Sequence, residues 1–101
     1  MALSHNVVAL NSSTAVSVTP ADPNITVNGE NYPTWNSMSI SVQNVDTTAL
    51  VYIGSSSVTS SSYGASILPG ASISIDGLSV NEPLYAISTG SSNVAVLVVL
   101  K

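Results

Sequence analysis

Apolar and polar residues alternate along most of this chain. Met38, Ile40 and Val42 are interleaved with Ser39, Ser41 and Gln43, and Ile73 and Ile75 with Ser72, Ser74 and Asp76. Ala15-Val16-Ser17-Val18-Thr19 behaves the same way. Successive side chains of a strand point to opposite faces, so a period of two marks strands with one buried and one wet face. No segment carries apolar residues at helical spacing, and Ser, Thr and Val are mediocre helix formers. The pattern predicts strands at 6–10, 15–19, 24–28, 37–45, 49–54, 71–76, 84–88 and 93–100.

Turn chemistry separates these segments. Asn28-Gly29 is the favoured type I′ pair and predicts a hairpin between Ile25-Thr26-Val27 and Glu30-Asn31-Tyr32. Pro69-Gly70 fits the centre of a type II turn before the 71–76 strand. Pro20-Ala21-Asp22-Pro23 and Asn81-Glu82-Pro83 interrupt the pattern, because proline cannot donate to a ladder. The Ser-rich stretch 54–66 is expected to be a loop with a short strand at Val58-Thr59. An internal echo links Ser39-Ile40-Ser41-Val42 and Leu50-Val51-Tyr52-Ile53 to Ser72-Ile73-Ser74-Ile75 and Leu84-Tyr85-Ala86-Ile87. It predicts two similar hairpins in equivalent places of two sheets. Short strands spaced by turn signals give an all-β expectation: a small antiparallel β-sandwich or partly open barrel of about seven to eight strands, without significant helix. Its expected core is Met38, Ile40, Val42, Ile53, Ile73, Ile75, Ile87, Val96 and Val98. Residues 1–12 are expected to form an N-terminal arm or edge strand, and 13–101 a single sandwich domain.

Composition narrows the function classes. The chain has 101 residues and no cysteine. This excludes a disulfide scaffold, a thiolate metal site and a cysteine nucleophile. Only 6% of residues are charged, with five acids and one base, Lys101, for a net charge of −4. An average soluble domain is roughly 25% charged. Without a basic patch there is nothing to drive binding to nucleic acid by counterion release, or to an anionic membrane surface. Apolar residues still make up 45% of the chain, so a normal core is expected beneath a surface of Ser, Thr and Asn. The start, Met1-Ala2-Leu3-Ser4-His5, lacks the basic residues of a signal peptide, and the longest apolar run, Val94 to Leu100, is far short of a membrane span. The sequons at Asn11 and Asn24 are accordingly not expected to be glycosylated.

The inventory for catalysis is thin. His5 is the single histidine and lies in the first residues, where chains often fray. The acids Asp22, Glu30, Asp76 and Glu82 each sit beside a turn residue, where Asp commonly bonds its own backbone. A calcium site from Asp22, Asn24 and Glu30 would have hard oxygens but not the EF-hand spacing. We expect no enzyme activity, no cofactor and no metal. Trp35, the only tryptophan, is a core or edge plug, an interface anchor or a sugar-stacking platform.

The last strand, Asn93 to Leu100, is apolar on both faces, so it must be central in a sheet or covered by another subunit. Soluble monomers guard sheet edges with charge, which this chain barely has. The expected working state is therefore assembled, a homo-oligomer of closed cyclic symmetry, with a trimer favoured as a geometric preference. The segments Val51-Tyr52-Ile53-Gly54, Val58-Thr59, Gly64, Leu68-Pro69-Gly70-Ala71-Ser72-Ile73-Ser74-Ile75 and Leu84-Tyr85-Ala86-Ile87-Ser88, followed by a Val-rich C-terminal strand, resemble the small β-domains of tailed-bacteriophage virions. Those domains serve as head decoration (cement) proteins or in related accessory roles. The resemblance spans about 49–100, and the C-terminal strand departs from it in lacking interspersed charges. It implies a structural virion protein on the outer surface of a capsid, made in the host cytoplasm, with the major capsid protein or other virion proteins as partners. The rival reading is a receptor- or glycan-binding module of a tail or fibre, which Tyr32, Trp35 and Tyr63 on one exposed face would favour. The expected partner-binding residues are Val7, Leu10, Tyr32, Trp35, Tyr63 and Val99.

Overall fold

The computed structural model describes residues 2–19, 25–27, 30–32, 37–79 and 83–100. Ten strands and no helix occur among them: β1 (Ala2–Leu10), β2 (Val16–Ser17), β3 (Ile25–Val27), β4 (Glu30–Tyr32), β5 (Ser37–Asn44), β6 (Val51–Gly54), β7 (Ala65–Ile67), β8 (Ser72–Ser79), β9 (Tyr85–Ser88) and β10 (Ser92–Leu100). Two four-stranded antiparallel sheets, β1-β10-β5-β8 and β2-β9-β6-β7, pack into a sandwich that is not closed into a barrel. A separate hairpin, β3–β4, is inserted between β2 and β5, with Val27 opposite Glu30 as the Asn-Gly signal predicts.

The connectivity follows from one long antiparallel hairpin rolled upon itself. β1 pairs with β10, β2 with β9, β5 with β8 and β6 with β7. Rolling then brings β10 beside β5 and β9 beside β6. This is the strand order of a double-sheet jelly roll. The Ser-rich segment 55–64 is the tip of the rolled hairpin. It is more ordered than a plain loop: Val58 is buried, Thr59 and Ser62 form a bridge, and β7 follows. The sequence pattern missed β7 because its three residues, Ala-Ser-Ile, are too few to show a period. The internal echo is not a pair of hairpins. β5→β6 and β8→β9 each step from the first sheet to the second, and the two arches lie side by side through β5–β8 and β6–β9 pairing.

The core draws on the inner faces of both sheets, with Met38, Ile40, Val42, Val94, Val96 and Val98 from one and Val18, Val51, Ile53, Ile67 and Ala86 from the other. Ile73 and Ile75, expected in the core, are only half-buried against it, because β8 is a sheet edge. Ile87 is buried but lies outside the main cluster, opposite Tyr52 in the β6–β9 register. β10 is central in its sheet, between β1 and β5; Val94, Val96 and Val98 on its inner face are buried, while Leu97 on its outer face stays exposed.

Two turns show the local chemistry. Gly70 has φ 78°, and Ala71 N–H donates to Leu68 O (2.9 Å), which makes Leu68-Pro69-Gly70-Ala71 the expected type II turn. At the end of β1, Asn11 Oδ1 accepts from Ser13 N–H (2.9 Å), Ser13 Oγ (3.0 Å) and Thr14 N–H (2.7 Å). The Asn-Ser-Ser triplet thus works as an Asx turn that sends the chain across to β2.

Candidate interaction surface

The first sheet has an unusual outer face. Alternation along β1 places Leu3, His5, Val7 and Ala9 on it, all exposed, while Leu10 points into the core. Register carries the same face across β10: Leu3 lies opposite Val99, His5 opposite Leu97 and Val7 opposite Ala95. Leu3 is 68% exposed, Val7 63% and Leu97 44%. The face therefore has an apolar half on β1 and β10, and a hydroxyl-rich half on β5 and β8 that holds Ser39, Ser41, Ser72 and Ser74. Between them lies a shallow depression of about 390 Å³, lined by Ser39, Ser41, Ser74, Asp76, Leu97 and Val99 among others. Ser39 Oγ donates to Asp76 Oδ1 there, which holds the carboxylate against β5.

Among the described residues, the histidine and the carboxylates are dispersed rather than convergent. His5 is on β1 and Asp76 on β8, at opposite edges of the sheet. Three inter-strand spacings, roughly 14 Å, separate those edges. Asp46 sits in the β5–β6 turn, where its Oδ2 accepts from Ala49 N–H (2.6 Å), Thr48 N–H (3.0 Å) and Thr48 Oγ1 (3.3 Å). Those backbone donors, Ala49 first, hold its carboxyl below the usual carboxylate range. No group of three or more potential metal ligands occurs among the described residues. A cleft of about 180 Å³ opens between the sheets where β2 is too short to cover β1; Asn6, Val8, Ser17, Thr19 and His5 are among the residues lining it.

The expected partner-binding residues fall in several places. Val7 and Val99 share the outer face, Val7 exposed and Val99 half-buried. Leu10 is used internally, 4% exposed in the core. Tyr63 is half-exposed at the hairpin tip, and its ring lies 4.6 Å from that of Tyr52 at an interplanar angle of 42°. The backbone of Tyr32 belongs to β4, and Trp35 lies outside the described residues. The structure adds Leu3 and Leu97, which the sequence reading did not single out. Leu97 could have been found by counting along 93–100, since it alternates with Val96 and Val98. Leu3 needed the register with β10, which a sequence does not state.

No protein-family model matches this chain, and no curated protein matches it.

Proposed function

We propose that the chain is a non-enzymatic structural virion protein that decorates and stabilises the outside of a bacteriophage capsid, working as a homo-oligomer. The observation that carries this reading is the apolar half-face of Leu3, Val7 and Leu97 on a sheet almost free of charge. Contiguous exposed apolar surface marks a place where another macromolecule sits, and interface cores are depleted in Lys and Glu. The scatter of His5, Asp46 and Asp76 supports a binding rather than a catalytic role. A jelly roll hosts capsid and lectin domains alike, so the fold itself favours neither. The acidic balance suits the outside of a shell better than a DNA-lined interior. Mechanistically, a protein that binds the assembled lattice and not the free subunit stabilises the lattice by mass action.

The test is direct. Purified chain added to undecorated capsids should co-sediment with them and raise the temperature at which they disassemble, and Leu97→Asp should weaken both effects. Capsids that neither bind the chain nor gain stability contradict the role. The second reading, glycan binding, has one observation in its favour: the tilted Tyr52–Tyr63 pair, open at Tyr63 and flanked by serines. Loss of receptor binding in Tyr63→Ala with capsid binding unchanged would favour it.

A further inference from the structure

The two main sheets have four edges, and three of them are blunted. β2 and β7 are two and three residues long. β8 carries Asp76, Gly77 at φ 74° and a register irregularity opposite Met38–Ile40. Short strands, charges and bulges are the devices by which natural sheets avoid edge-to-edge pairing. The fourth edge, β1, is nine residues long and pairs with β10 without a break. Ala2–Leu10 contains no Lys, Arg, Asp, Glu or Pro.

Among the described residues nothing pairs with the outer side of β1, and the backbone groups it leaves free can be assigned. Val45 N–H donates to Asn93 O (3.3 Å), so Asn93 turns its peptide groups towards the β5 side. Alternation along β10 then aims its even-numbered residues at β1, and the register pairs these with even-numbered residues there, Val96 with Asn6 for example. Leu3, His5, Val7 and Ala9 are left to present N–H and C=O groups away from the sheet. A separate observation agrees: Val7 N–H donates to Asn6 Oδ1 (2.9 Å), a local partner on the open side.

We propose that this edge is occupied by β1 of a second copy of the chain, antiparallel and centred on Asn6. In that register all nine residues pair, and every odd-numbered residue meets an odd-numbered one, so the free donors and acceptors of the two strands match. The outer faces also match: Leu3 meets Ala9 of the second copy and Val7 meets His5, which joins the two apolar half-faces. All five acids of this −4 chain lie outside β1 and β10, so the paired strands themselves bring no carboxylates together. The contact is two-fold, consumes both open edges and closes, whereas pairing of unlike edges closes only where its rotation completes a ring. It deepens the self-association reading by naming its surface and replaces the expected three-fold arrangement with a dimer. Asn6 is the one local guard, because its Oδ1 holds the Val7 N–H that the incoming His5 carbonyl must take.

Sedimentation velocity of the full chain, from low to high micromolar, tests this. The wild type should show a reversible monomer–dimer equilibrium. His5→Pro removes an outward N–H and no ladder bond, so it should stay folded by circular dichroism and lose the dimer. Should His5→Pro not fold, Val7→Lys replaces it, since that side chain is exposed and two lysines would lie diagonally across the two-fold axis. Asn6→Ala removes the competitor for Val7 N–H and should tighten the dimer roughly two- to tenfold. A wild type that stays monomeric, a trimer, a dimer unchanged in the edge-blocking variant or a dimer weakened by Asn6→Ala each overturns the proposal. No capsid is present in this experiment, so its failure leaves the capsid role standing, and failure of capsid binding leaves the dimer standing.

Discussion

Asn44 shows how a single side chain fixes a corner of the sandwich. It ends β5, is fully buried, and its Nδ2 donates to Ala49 O (2.8 Å) and Ile67 O (3.0 Å). Its Oδ1 accepts from Asp46 N–H (3.1 Å), while its backbone bonds Ala71 and Gly70. One residue thereby ties the β5–β6 turn and β7 through its side chain and the type II turn through its backbone. Asn44→Ala strands two buried carbonyls, so it should cost about 2–4 kcal/mol, readable by urea unfolding. Beside it, Asp46 holds the turn through backbone N–H groups, and its carboxyl is depressed in the folded state. The sign follows from linkage: its contribution is present above the unfolded carboxyl value of 3.8 and is lost as pH falls through the lower folded value. Asp46→Ala should therefore lower stability at neutral pH and flatten the acid limb of the stability–pH curve below about pH 4. An acid limb unchanged in the variant would show that other carboxyls dominate it.

Among the elements, β10 carries the clearest contrast. Val96 is 4% exposed in the core and Val99 is half-buried on the outer face. An unpaired ammonium in the core costs several kcal/mol. Val96→Lys should therefore abolish the folded far-ultraviolet and thermal signatures, while Val99→Lys should keep them. Equal effects of the two would contradict the assigned faces of β10. The alternation made most of this legible from sequence. Period two marked β5, β8 and the segment around β2, a run apolar on both faces marked β10, Asn-Gly placed the β3–β4 hairpin, and Pro-Gly placed the turn at 69–70. The sequence could not supply pairing. That β5 and β8 are neighbours in one sheet and β6 and β9 in the other depends on how the long hairpin rolls. Rolling also decides that Ile75 sits at an edge and is only half-buried. The interaction surface was half legible for the same reason: Val7 and Val99 were visible as strand residues, but their union with Leu3 and Leu97 depends on register.

For the whole molecule, scarcity of charge is the property that connects fold to role. Three edges of the two main sheets are blunted by shortness, a charge or a bulge, and the long uncharged edge borders the exposed apolar half-face of Leu3, Val7 and Leu97. A chain of this kind is suited to being covered. In the proposed role the capsid covers the face and a second copy covers the edge. The proposed role is tested most directly by cryo-electron microscopy of virions assembled with and without the chain. The account predicts extra density of about 10 kDa per copy on the outer capsid surface, absent from particles made without the chain, into which the jelly roll fits with Leu3, Val7 and Leu97 turned towards a protein neighbour. Particles identical with and without the chain, or density with that face turned to solvent, would contradict it.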